Sequence, residues 1–204
     1  MNAHNIDVVL DVGANDGAYG REIRDRGYKG FIVSLEPNIF AYDRLSRSTR
    51  RDPLWSVHPI ALGEIEGESK LFIGRNDAMS SIKNLTEYGL STGAKPVDTQ
   101  RIKVMRLDQF LALNSLPGRN IYLKIDTQGY EAEVIRGAGK ILQKIKVIQA
   151  EVALVHTYAD ELDWLAFIRW MRDNQFEVAT AVCNSTIGAQ VREFDFVFVR
   201  RQTI

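Results

Sequence analysis

The patterned part of the chain opens with an unbroken apolar run over residues 8–12, VVLDV. A continuous β-rich run of this length, rather than an alternating one, predicts a strand buried on both faces, as in a parallel sheet. Residues 13–17 follow as a tight loop. Residues 18–26 carry helical spacing, with Gly27 placed to end the helix. The cycle repeats with a strand over 31–35 closed by Glu36 and Pro37, a helix over 39–48, and a strand over 55–60. Strand and helix in alternation predict parallel strands joined by right-handed crossovers.

The pattern then changes. Residues 61–74 read as a short hairpin around GEIEGES, with a strand at 70–73. Residues 75–99 are polar and weakly periodic, and a segment this long without pattern is expected to carry function or to move. A strand is expected at 101–107, with Asp108 capping a short helix through Leu113. A buried strand over 121–125, a helix over 129–137 and a strand over 146–152 come next. Residues 160–174 form an amphipathic helix, with Leu162, Leu165, Ile168, Trp170 and Met171 on its apolar positions. Strands at 176–182 and 194–199 end the chain as an expected antiparallel pair at one sheet edge. Periodicity by itself therefore predicts the α/β class.

Composition narrows the picture. A chain of 204 residues, 45% hydrophobic and 25% charged, suits one globular domain with a real core. Its 26 basic and 26 acidic side chains cancel, so no global field draws it to nucleic acid, and no nucleic-acid partner is expected. The single cysteine, Cys183, excludes an intramolecular disulfide and a Cys-rich zinc site; it is expected as a small buried hydrophobe near a strand end. No apolar run approaches the roughly 18 residues needed to span a bilayer. No basic leader precedes the first strand, so a cytoplasmic location without an integral membrane segment is expected.

The chemistry concentrates in Asp11-Val12-Gly13-Ala14-Asn15-Asp16-Gly17, which follows a buried strand and opens a helix. Glycines there let backbone N–H groups approach a ligand. A dinucleotide loop would read G-x-G-x-x-G beneath a pyrophosphate. Here Asn15 replaces the middle glycine, and Asp11 and Asp16 would repel phosphate; they suit a ligand bearing an α-amino group and a sulfonium. Glu36 ends the second strand about 20 residues on, where an acid can accept both hydroxyls of a ribose.

Four segments in order, DVGANDGAY from Asp11, LEP from Leu35, ALGEIEG from Ala61 and LKIDTQGYEAEVIRGA from Leu123, resemble the FkbM family of methyltransferases across roughly residues 8–155. The resemblance implies a Rossmann-like, seven-stranded, mostly parallel sheet with helices on both faces and an antiparallel terminal strand. It also implies a single domain over residues 1–204 with a hairpin-and-loop insertion at about 61–107. It implies S-adenosyl-L-methionine as cofactor, and methylation of a hydroxyl on a sugar, glycan or polyketide-like natural product. On that resemblance Asp11, Gly13, Asn15, Asp16 and Gly17 frame the methionine part of the cofactor. Glu36 holds the ribose, Pro37 and Asn38 border the adenine, Ala61 and Leu62 read its edge, and Ser80 and Ser81 lie nearby.

Methyl transfer to oxygen needs alignment, exclusion of water and removal of a proton. Such groups gather at the carboxyl ends of the strands, which selects Lys124, Asp126, Gln128 and Glu131 on one strand and Glu151 and His156 on the next. Asp126 is the first candidate for acceptor or base, with a helix N-cap as its alternative role. Lys124 would pair with it or polarise a substrate oxygen, and His156 and Glu151 are further candidates for the proton. His4 and His58 are weaker ones. Asp126, Glu151 and His156 could hold Mg²⁺, but no close-spaced motif supports a metal, and none is expected. Tyr88, Tyr158 and Trp164 are candidates to stack on a sugar. The competing readings are a nucleotide-binding Rossmann oxidoreductase and a non-catalytic cofactor-binding domain. Neither the acceptor nor the oligomeric state is legible.

Overall fold

The computed structural model describes residues 4–114, 116 and 118–201. The ends of the expected domain, residues 1–3 and 202–204, lie outside them. The first half runs β1 (Val8–Val12), α1 (Ala18–Asp25), β2 (Phe31–Leu35), α2 (Ile39–Thr49), β3 (Trp55–His58), β4 (Ala61–Leu62), β5 (Gly67–Gly74) and α3 (Glu87–Ser91). The second half runs β6 (Pro96–Met105), α4 (Leu107–Leu113), β7 (Ile121–Ile125), α5 (Glu131–Arg136), β8 (Ile145–Ala153), α6 (Trp164–Asp173), β9 (Phe176–Ile187) and β10 (Gln190–Arg200).

β1 is buried along its whole length because it pairs in parallel with β2 on one side and β7 on the other. That explains a strand with no polar alternation. The main sheet has seven strands in the order β3-β2-β1-β7-β8-β10-β9. Its described pairs are parallel except those of β10, which runs antiparallel to both β8 and β9. One face packs Leu10, Leu123, Ile125 and Ile148 against Phe110 of α4, Ile135 of α5 and Met171 of α6. The other packs Val9, Ile32 and Tyr122 against Ile23 of α1 and Trp55. Helices therefore cover both faces, as the resemblance implies.

Several local expectations change. Residues 61–74 are not a hairpin. β4 and β5 both pair with β6, β4 in parallel and β5 antiparallel, in a second, three-stranded sheet. Turn residues mark where a chain reverses, not which strand it will pair with, and β6 supplies Ile102 and Val104 to a small core with Leu71 and Ile73. β6 starts at Pro96, so the segment expected to be irregular is partly strand. Its remainder holds a 3₁₀ turn at Asp77–Met79 and α3, whose N-cap Thr86 accepts from Gly89 N at 3.0 Å. Isolated bridges Phe72–Ser81 and Leu85–Tyr158 tie it down.

Asp108 does not cap α4. It lies in the first turn, gripped by the Arg106 guanidinium at 2.8 and 3.0 Å. α6 begins at Trp164 because Asp163 accepts from the backbone of Leu165 and Ala166. β9 and β10 extend beyond 182 and before 194 into a long hairpin, and Cys183 is exposed within it rather than buried. As the outermost strand, β9 has no helix to set an apolar pattern on its far stretch.

The second sheet docks onto the main domain by direct backbone contact. A side chain at Gly137, the residue after α5, would strike the carbonyl of Gly63, just past β4. Both atoms are main chain, so neither can move aside. Gly137 has φ −65, ordinary helical geometry. At an open helical position Gly→Ala would stabilise by about 1 kcal/mol. Here Gly137→Ala is expected to destabilise by about 1–3 kcal/mol through overpacking. Urea unfolding checks this, and a raised midpoint would contradict the backbone contact.

Candidate functional site

The sheet order reverses direction between β1 and β7, and ligands of open α/β sheets bind outside the carboxyl ends of the strands at such a point. The loop after β1 is anchored there on both sides. Gly13 and Ala14 donate their N–H groups to Leu35 O at 3.0 and 3.2 Å, and Asp126 N donates to Val12 O at 3.0 Å. Gly13 has φ +76, and a Cβ on it would strike the Asp126 carbonyl. Glycine is required both for the turn and for this approach.

A cleft of about 80 Å³ lies over this junction and opens to solvent. Gly13, Asn15, Glu36, Pro37, Ala61, Leu62, Ser80 and Asp126 line it, eight of the candidate residues brought together. Sequence reasoning missed Asp77, Thr127 and Tyr130, which also line it. Asp77 stands in the segment expected to be irregular, where its carboxylate pairs with Arg44 and lies 3.4 Å from Asn15 Nδ2. No spacing signal links residues so far apart in sequence.

Glu36 is buried, and its pKa is lifted to about 7. Burial is the main cause, opposed by N–H groups of Asn38 and Asn15. Those groups donate to Oε1 and Oε2 at 2.7 Å each. The carboxylate thus fixes the loop after β1 to the start of α2, and its further lone pairs remain for a ligand.

A second polar chain runs under the loop. Asp11 and Lys124 are register partners on β1 and β7, both buried. Lys124 Nζ lies 3.7 Å from Asp11 Oδ1 and 3.0 Å from Asp126 Oδ2. Burial works against the ammonium, but Asp126 and Asp11 outweigh it and raise its pKa above the usual lysine value. Burial likewise pushes Asp11 up, and Lys124 opposes that. Gln128 Nε2 donates to Asp126 Oδ1 at 3.1 Å and to Glu151 Oε2 at 2.7 Å. Burial, then the charges of Asp126 and Glu193, push the Glu151 carboxyl well above the usual glutamate range. Asp126 is therefore no helix cap: Tyr130 holds that position on α5, and Glu131 accepts from the N–H groups of Thr127 and Gly129.

The remaining candidates sit elsewhere. Asp16 accepts from Ala18 N and pairs with Arg21 at the loop's outer side. Gly17, at φ +85, starts α1 against Leu45. Asn38 is buried, and its side chain caps α2. Ser81 is buried too, donating to Gln128 O at 2.7 Å. His156, on the segment after β8, lines neither this cleft nor the groove beside it. His58 packs edge-on against Phe110, and burial lowers its pKa. Tyr158 is buried rather than presented for stacking; its hydroxyl donates to Gln128 Oε1 at 3.0 Å. Tyr88 lies beneath the Arg192 guanidinium, and Trp164 packs on the main core.

Beyond Asp126 an open groove of about 1290 Å³ crosses the sheet face, floored by Lys124, Gln149 and Asp195. Gly13, Asn15, Asp77, Ala78 and Asp126 border both cavities. The two spaces meet at the loop after β1.

Solved structures share this fold. The methyltransferase FkbM from Methylobacillus flagellatus KT aligns with a TM-score of 0.59 and 15% identity, over 94% of this chain but only 43% of that one. The magnesium protoporphyrin IX methyltransferase of Synechocystis PCC 6803 aligns with a TM-score of 0.53 and 9% identity, over 96% of this chain and 71% of that one. The hexuronic acid methyltransferase AglP of Haloferax volcanii is 25% identical over 201 residues, 98% of this chain and 73% of that protein. The FkbM methyltransferase domain matches residues 11–178, most of the chain. The protein belongs to the FkbM methyltransferase family.

Proposed function

We propose that this chain is a single-domain O-methyltransferase that uses S-adenosylmethionine to methylate a sugar hydroxyl. The charge of the cleft carries the reading. Three carboxylates, Glu36, Asp77 and Asp126, line it, and among the described residues no lysine, arginine or histidine does, although Arg44 and Lys124 pair with two of them from outside the lining. Such a lining suits a cofactor with an ammonium and a sulfonium, and opposes a dinucleotide pyrophosphate. It speaks against the nucleotide-dependent oxidoreductase, and the polar chain ending at Asp126 speaks against a domain that only binds. The sugar acceptor is supported by the hexuronic acid methyltransferase relative. An exposed, unpaired Cys183 suits a reducing, cytoplasmic compartment. No helix among the described residues is long and apolar enough to cross a membrane.

Bound there, S-adenosylmethionine supplies an electrophilic methyl group. Glu36 would accept the ribose hydroxyls, and Leu62 and Ile60 would cover the adenine. Asp126 stands where cleft and groove meet, so an acceptor hydroxyl entering by the groove would reach its carboxylate. Lys124 and Gln128 each hold one oxygen of that carboxylate. They fix its direction. Asp126 is thereby the proposed proton acceptor, with Glu151 behind it through Gln128. An acceptor screen with methyl-labelled cofactor tests the reading, and labelled product from no sugar acceptor would overturn it.

Glu36→Ala is expected to weaken S-adenosylhomocysteine binding about 10- to 100-fold, about 1.4–3 kcal/mol. The ionised carboxylate is the form that accepts two hydroxyls. Binding should therefore lower the Glu36 pKa from about 7 and release a proton. Affinity should rise as pH increases from about 6 to about 8, and because burial also lifts Glu131 and Glu151, the part of the slope that Glu36→Gln removes is the part that belongs to Glu36. Calorimetry in buffers of different ionisation heat reads both quantities. A pH-independent affinity, or an unchanged slope in Glu36→Gln, would remove Glu36 from the ribose role.

Asp126→Asn is expected to lower turnover by about 10²- to 10⁴-fold while disturbing cofactor affinity far less than Glu36→Ala does. Single-turnover transfer of labelled methyl, alongside S-adenosylhomocysteine calorimetry, separates the effects. Near-normal turnover would assign the proton to another group.

A further inference from the structure

A third cavity, of about 470 Å³, opens on the far side of the second sheet from the cofactor cleft. Alternation along one extended stretch separates the two spaces. Ser80 and Ile82 line the cleft, whereas Met79, Ser81 and Lys83 line this cavity. Its volume falls within the range of about 300–1,000 Å³ usual for small-molecule sites. Phe72, Met79, Leu85, Pro96 and Tyr158 give it apolar walls.

Its charge is opposite to that of the cleft. Arg75, Lys83 and Lys95 line it, and among the described residues no aspartate or glutamate does. Lys83 is committed, pairing with Glu133 at 3.1 Å and donating to the Asp160 carbonyl at 2.6 Å. Arg75 and Lys95 make no ion pair among the described residues. Two free cations beside an apolar wall match a ligand with an anionic group on a ring that has C–H faces. Inorganic phosphate would satisfy the cations and leave the walls in water; a neutral sugar would do the reverse.

The cavity also shares a wall with the proposed transfer site. Ser81 Oγ donates to Gln128 O, and the Tyr158 hydroxyl donates to Gln128 Oε1. Gln128 lines the cofactor cleft and holds Asp126. A group lodged here lies one layer of side chains from the proposed reaction centre.

We propose that this cavity binds an anionic saccharide unit, its carboxylate or phosphate between Arg75 and Lys95 and its ring on the wall of Phe72, Leu85 and Tyr158. The inference extends the methyl-transfer reading by naming the acidic character of the saccharide the protein handles, but its test requires no turnover. Full-length ¹⁵N-labelled protein, with and without S-adenosylhomocysteine, is titrated with glucuronate, glucose 6-phosphate and glucose. Amide resonances of Gly74, Gly93 and Ala94 are followed. Either anionic sugar should shift them at millimolar concentration, and glucose should not; the tighter of the two identifies carboxylate or phosphate as the natural group. Arg75→Ala/Lys95→Ala should weaken the response by at least about tenfold, with a dispersed spectrum showing that the variant is folded. Equal shifts with glucose, no shift with either anion, or an unchanged response in the double variant would overturn the proposal. Because the cofactor-free titration stands alone, failure of S-adenosylhomocysteine to bind would count against the methyl-transfer reading only.

Discussion

A buried ion pair sits at the centre of the sheet, and the site is arranged around it. Asp11 is fully buried on β1, and Lys124 faces it from the matching position of β7. Removing one partner of such a pair leaves an uncompensated charge, at a cost of about 3–5 kcal/mol. The lysine is shared with Asp126, so the same ammonium that neutralises Asp11 also orients the carboxylate facing the cleft. Asp11 is further held by Ser34 on β2, whose oxygen accepts from Trp55 Nε1 on β3. Four adjacent strands thus share one polar line beneath the loop that borders both cavities. Register between β1 and β7 cannot slip without separating these charges.

Much of this was legible because burial on both faces leaves a strong mark. VVLDV and IYLKI read as interior strands, and a single acid or base inside such a run must have a partner. Glu36 was legible from its place at the end of β2, and Gly13 from the turn. The second sheet was not, because β4 is two residues long and its partner lies beyond an intervening helix. Local turn chemistry in GEIEGES was sound; the pairing it suggested was decided by the apolar side chains of β6. Asp77, Thr127 and Tyr130 were missed for a related reason. They reach the cleft through tertiary placement, without a periodicity of their own.

The candidate residues that moved away from the cleft follow one physical rule. Asp16, Gly17, Asn38 and Ser81 are all used by the backbone: a loop brace, a helix start, a helix cap and a clamp on the Gln128 carbonyl. The short polar side chains of Asp16, Asn38 and Ser81 satisfy orphan N–H and C=O groups first, and Gly17 supplies the left-handed backbone turn. Their presence in a motif therefore reflects the shape of the loop as much as contact with ligand. Ser80 and Ser81 show the division within one pair, since adjacent residues of an extended segment face opposite ways. Ser80 lines the cleft, and Ser81 faces the cavity behind it.

That alternation gives the second sheet a role beyond filling space. It stands between a cleft lined by carboxylates and a cavity lined by cations, with Gln128 and Tyr158 completing the partition. Opposite charges on two faces of a thin wall keep each space selective: the acidic face repels an anion that the basic face attracts. At separations below the roughly 8 Å Debye length of physiological salt, neither field is fully screened. A cationic cofactor and an anionic saccharide can therefore be held close together without exchanging places. Gly137 against Gly63 fixes the wall to α5, and α5 follows the loop carrying Gln128. The partition and the carboxylate held by Gln128 are thereby tied to the same helix and loop.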